Sequence, residues 1–60
     1  MRIGVFRTKR LNYFVALFED NFGVIMKTGL FSHEYGARQV VDEMKAAIPG
    51  IEVVDDVIAF

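Results

Sequence analysis

The 60-residue chain has no cysteine, no tryptophan, one histidine and one proline. Without cysteine there is neither a disulfide framework nor a thiolate metal site, so packing alone must hold a small core. His33-Glu34 opens the pattern of a helical zinc motif, but Ala37 stands where the second histidine is needed. The five glycines form neither the GxGxxG nor the GxxxxGK[ST] spacing that cradles phosphate. The longest apolar run, Tyr13 to Phe18, is six residues, far short of the ~20 that span a bilayer. It follows Arg7, Lys9 and Arg10 as a signal peptide's apolar segment would. Glu19, Asp20 and Asn21 close it too soon, and no small-residue cleavage pattern follows. The default expectation is a soluble, cytoplasmic protein with no membrane partner.

What the chain does have is apolar mass: 53% of its residues are hydrophobic, six of them Phe and two Tyr. A fold of this size buries only about 60% of the surface that its unfolded chain exposes. Part of the apolar load should therefore remain at the surface, where it commonly marks an interface. The simplest outcome is a symmetric homodimer. Charged residues are 25%, an ordinary share for a globular protein, and the length allows one domain, residues 1–60.

Net charge is −1, unevenly placed. Residues 1–18 carry Arg2, Arg7, Lys9 and Arg10 with no acid; the remainder sets Lys27, Arg38 and Lys45 against eight acids. Such asymmetry creates a local field and can help two copies pair head to tail.

Arg2 to Phe6 reads as a first strand, Arg7 to Arg10 as a basic connection, and Asn12 to Glu19 as a second strand rich in aromatic and β-branched residues. Residues 19–23 carry the turn chemistry of a hairpin, Asn21 and Gly23 tolerating positive φ, and Val24 to Thr28 returns as a third strand. Phe14, Ala16 and Phe18 alternate with Tyr13, Val15 and Leu17, so strand two is apolar on both faces. A sheet with one wet face alternates apolar and polar instead. One helix covers one face; something else must cover the other.

That helix is expected after Ser32, a favourable N-cap, with Glu34 in its first turn. Ala37, Val40, Val41, Met44 and Ile48 recur at helical spacing, and Arg38, Gln39, Asp42, Glu43 and Lys45 take the outer face. Glu34 and Arg38 form a favourable i,i+4 pair. Pro49-Gly50 ends the helix, Ile51 to Val54 reads as a last strand, and Val57 to Phe60 as an apolar tail too greasy to be left frayed. The fold class is α+β: a small antiparallel sheet, in the order β-β-β-α-β, with one helix packed on one face.

No residue carries a catalytic signature. His33 is a solvated helix-start residue, and Ser32 has no base beyond that neighbour. Glu19-Asp20 and Asp55-Asp56 are adjacent carboxylates that point in different directions, hence turn residues and not acid–base pairs. Arg7, Lys9 and Arg10 stand beside Phe6, Tyr13 and Phe14, a mixture found on single-strand nucleic-acid platforms. The pI of about 5.6 argues against a nucleic-acid partner, since such domains usually exceed ~9.

Phe14-Val15-Ala16-Leu17, Asn21-Phe22-Gly23-Val24-Ile25, Thr28-Gly29-Leu30-Phe31-Ser32 and Ala37 together resemble the small YegP-type domains of unknown function. The likeness spans roughly residues 13–45. Phe22 separates Asn21 from Gly23, Phe31 directly precedes Ser32, and the Trp or Arg usual in the first strands is absent. The resemblance implies a three-stranded antiparallel sheet with one helix and a tendency to pair. It carries over no functional residue.

The expected function is a non-enzymatic protein-binding or assembly module, self-associating through an apolar sheet face or the C-terminal strand. Tyr13, Val15, Leu17, Val57, Ile58 and Phe60 are its candidate interface; Arg7, Lys9 and Arg10 are candidate contacts to an anionic partner. The alternatives are a small inhibitor or adaptor of a larger protein complex and a nucleic-acid-binding module using residues 7–10. No catalytic, cofactor or metal residue is assigned.

Overall fold

In the computed structural model, which describes residues 1–21 and 23–59, β1 (Arg2–Arg7) and β2 (Tyr13–Phe18) form an antiparallel hairpin. Gly4 faces Ala16 and Val5 faces Val15 at its centre. β3 (Val24–Lys27) folds back on the outer side of β2, helix α1 (Glu34–Ala47) follows, and β4 (Glu52–Val53) and β5 (Ile58–Ala59) return to β1. The sheet order is β3-β2-β1-β4, with β5 on β1 beyond β4. The fold is α+β.

The sheet is mostly antiparallel, as the sequence reading expected, with a parallel return that makes it mixed. β4 and β5 both run parallel to β1. The reason lies in the number of reversals: three hairpin-connected strands and one helix bring the chain back in the direction of β1. β4 and β5 behave as one interrupted strand. Glu52 and Val53 match Arg2 and Ile3, and Ile58 and Ala59 match Phe6 and Arg7. Four residues lie between the C-terminal matches where only two lie between those of β1. The surplus includes Asp55-Asp56, which leave the ladder and stay exposed.

The helix starts later than expected. Its N-cap is His33, in extended geometry at φ −131° and ψ 147°, and no side chain caps it. Ser32 is one residue too early because Phe31 is still held in extended pairing. Its N–H donates to the Tyr13 carbonyl at 2.7 Å and its carbonyl accepts from the Tyr13 N–H at 2.9 Å. The apolar stripe is otherwise as its spacing dictates. Ala37 and Val41 are fully packed, Val40 and Met44 flank them, and Gln39, Asp42, Glu43 and Lys45 face outward. The chain leaves the helix at Ile48, and Gly50 takes the left-handed conformation at φ 84° that turns it into β4.

Two apolar layers result. Under the helix lie Ile3, Val5, Val15 and Leu17 with Ala37 and Val41. On the opposite face Phe6, Phe14, Ala16 and Phe18 are buried, with Val54 and Ile58 packed against them. Phe6 stacks on Phe14 at 5.2 Å and meets Phe18 edge-on at 5.5 Å. The second layer packs over Gly4 at contact distance: a Cβ there would lie 3.4 Å from both Ile58 and Phe18 and 3.5 Å from Val54, ordinary van der Waals contact.

Candidate interaction surface

Two-sided burial places strand-two residues expected to form an interface in the core. Val15 and Leu17 are core side chains beneath the helix, at 3% and 6% exposure. Tyr13 and Val57 are half-buried against the same layer. Ile58 lies on the opposite layer, and Phe60 is outside the described residues. The six candidates are therefore not one exposed patch. The helix takes one face of β2 and the C-terminal segment contributes cover to the other, so neither is spare.

The exposed apolar surface is instead concentrated at the sheet edge. All four residues of β3 are exposed, with Val24, Ile25 and Met26 at 56%, 51% and 53%. Leu30 continues the strip at 63%. Periodicity alone had marked these residues as an ordinary third strand. The missing signal was which strand lies at the edge, a property of sheet order and not of local sequence. β3 pairs only with β2 among the described residues. Val24 lies opposite Phe18 and Met26 opposite Leu17, which leaves Ile25 as the extra residue of a β-bulge.

Beside this edge an apolar crevice of about 40 Å³ is lined by Ile3, Val15, Leu17, Met26, Val40 and Met44, with Lys27 and Thr28 at its rim. Ligand pockets run to roughly 300–1,000 Å³. The crevice matches part of one apolar side chain and not a metabolite.

Charge is sorted to the two ends of the sheet. At one end Arg7, Lys9 and Arg10 are all exposed on a tight β1–β2 connection. Thr8 holds that loop: its carbonyl accepts from the Leu11 N–H at 3.0 Å, and its Oγ1 accepts from the Asn12 N–H at 3.2 Å. Leu11 sits at φ 61° and is 64% exposed. At the opposite end lie Glu19, Asp20 and Glu52, with Arg2 Nε 3.2 Å from Asp20 and 3.5 Å from Glu52. None of Arg7, Lys9 and Arg10 makes an ion pair among the described residues. Lys27 lies on the face opposite the helix, its ammonium 5.9 Å from the Phe14 ring centre.

The remaining chemical candidates do not converge. His33 stacks on Tyr35 at 5.4 Å beside a shallow depression formed with Phe31, Ser32 and Gly36. Among the described residues no three His, Cys, Asp or Glu side chains are grouped to hold a metal, and no helix is long and apolar enough to cross a membrane. Compared with protein-family models, curated proteins and solved structures, the chain matches none, so the likeness to YegP-type domains rests on the residues quoted for it.

Proposed function

We propose that this chain is a non-enzymatic assembly module that associates with a second copy of itself. One observation carries the reading: an apolar edge strand with three of its four side chains more than half exposed. An open edge presents unpaired backbone N–H and C=O groups, and the apolar side chains beside them gain by leaving water. Among the described residues both faces of β2 are covered, and β3 with Leu30 carries four of the seven exposed large hydrophobic side chains. The YegP-type resemblance, with its tendency to pair, supports the same reading.

Light scattering coupled to size exclusion, run over a concentration series into the high micromolar range, tests it. The expected mass approaches twice the 6.8 kDa of the chain. A 6.8 kDa species that persists at every concentration refutes self-association and favours the role of adaptor to a larger complex.

A further inference from the structure

We infer that the basic end of the sheet docks on an anionic phospholipid surface: Leu11 enters the bilayer interface while Arg7, Lys9 and Arg10 contact the headgroups. This goes beyond self-association and does not depend on it. Leu11 combines two unfavourable features. Its backbone stands at φ 61°, a left-handed conformation that glycine or asparagine adopts far more readily. Its side chain is 64% exposed, so packing within the chain does little to offset that strain. The conformation is nevertheless well tied. The Thr8 N–H donates to the Asn12 carbonyl at 2.8 Å, the Leu11 N–H to the Thr8 carbonyl at 3.0 Å, and the Asn12 N–H to Thr8 Oγ1 at 3.2 Å. Residues 8–12 lie beyond the last matched pair of the hairpin, Arg7 and Tyr13. A leucine is thus held past the end of the ladder in one backbone conformation, with little left to order on docking.

The charges around it have one sign. Arg7, Lys9 and Arg10 are exposed and make no ion pair among the described residues. Glu34 stands at the same end, where the bridge of Tyr13 to Phe31 leads into the helix, and Arg38 pairs with it at 3.2 Å. Asp55 and Asp56 sit further back, between the residues matched to Ile3 and Phe6. Glu19, Asp20 and Glu52 lie at the other end of β1. From Arg2 to Arg7 the strand runs ~17 Å at about 3.4 Å per residue, against a Debye length of ~8 Å at physiological salt. A surface at the tip therefore meets three cations and little of the far acids, although the whole chain carries −1.

An exposed leucine among cations fits a surface that is anionic outside and hydrocarbon just beneath, as a bilayer with acidic headgroups is. A nucleic acid offers the phosphates without the hydrocarbon. A bilayer also receives a projecting side chain without a matching pocket. Attachment of this kind needs no spanning segment, and with one leucine and three cations it is weak, reversible and dependent on the density of acidic lipid.

The chain has no tryptophan, so Leu11→Trp places a single fluorophore at the tip. Its emission should shift to the blue on vesicles of phosphatidylcholine with phosphatidylserine and stay unchanged on phosphatidylcholine alone. Co-sedimentation of the unmodified chain with the same vesicles measures the partition. Each cation near such a surface is worth roughly fivefold, so Arg7, Lys9, Arg10→Ala should weaken it on the order of a hundredfold. Leu11→Asn suits the left-handed backbone and removes the apolar side chain. It should keep the native circular dichroism and bind the vesicles several-fold more weakly. Unmodified protein that ignores phosphatidylserine vesicles overturns the proposal. Leu11→Asn that binds as well as the unmodified chain overturns insertion of the leucine. Heparin bound as tightly as the vesicles overturns the lipid assignment and makes the tip a site for soluble polyanions.

Discussion

Phe18 shows how much a single side chain carries in a domain this small. It is 1% exposed, touches the Phe6 ring edge-on and stands next to Gly4. Truncating a buried Phe to Ala costs about 3–5 kcal/mol. Domains below ~70–80 residues rarely hold more than about 3–5 kcal/mol in total without a staple, and this one has no disulfide. Phe18→Ala should therefore be largely unfolded at room temperature, seen as loss of the far-ultraviolet dichroism of sheet and helix. Leu30→Ala, at a 63% exposed position, should stay within about 0.5 kcal/mol of the unmodified protein. If Phe18→Ala melts like Leu30→Ala, the second apolar layer is not part of the stabilising core.

At the scale of elements, the C-terminal segment is more than a fourth strand. Val54 N–H donates to the Ile3 carbonyl at 2.9 Å, and Arg38 of the helix donates to the Asp55 carbonyl at 2.8 Å. These bonds hold the chain as it enters the excursion at Asp55-Asp56. Arg38 also contacts Glu34 at 3.2 Å, so the i,i+4 pair expected from the spacing orients the same guanidinium that secures the tail. β5 then lays Ile58 over Gly4. Ile58 is only half-buried, so Ile58→Ala should cost about 1–2 kcal/mol. For a domain of this length that lowers the melting temperature by roughly 5–15 °C. Dye binding by the uncovered aromatic face should rise with it. An unchanged melting temperature would show that the segment rests on the sheet without stabilising it.

Over the whole molecule, the basic tip and the acidic turn lie at opposite ends of one sheet. Arg7, Lys9 and Arg10 form a cationic cluster on a protein whose pI is about 5.6, and the aromatics beside them are in the core: Phe6 and Phe14 are buried and Tyr13 is half-buried. Among the described residues the aromatics beside the basic cluster are not free to stack on bases, as a single-strand platform there would require. A labelled single-stranded oligonucleotide at about 50 mM salt should therefore show no change in anisotropy on adding the protein, and the Arg7, Lys9, Arg10→Ala variant should behave identically. Micromolar binding that collapses toward ~200 mM salt, and is lost in the triple variant, would establish a phosphate contact instead. In the dimer proposed above the same three charges steer association, so the variant should slow dimer formation at low salt with little effect at high salt.

Much of this architecture is legible before any coordinates. The helix follows from the recurrence of Ala37, Val41 and Met44, and its end follows from Pro49-Gly50. The β2–β3 hairpin follows from turn residues between two apolar runs. These are local properties, set within a few residues by backbone preference and side-chain periodicity. The two-sided apolarity of β2 likewise dictates that both faces be covered. Tertiary structure alone decides what covers them and what is left over. The parallel return of β4 and β5 depends on the sum of reversals along the chain. Those facts place Val15 and Leu17 inside and make β3 the edge. Val24, Ile25 and Met26 carry no mark in the sequence that separates them from the buried strand before them. Their exposure is set by position in the sheet, because a strand's partners lie far along the chain and its own residues do not name them.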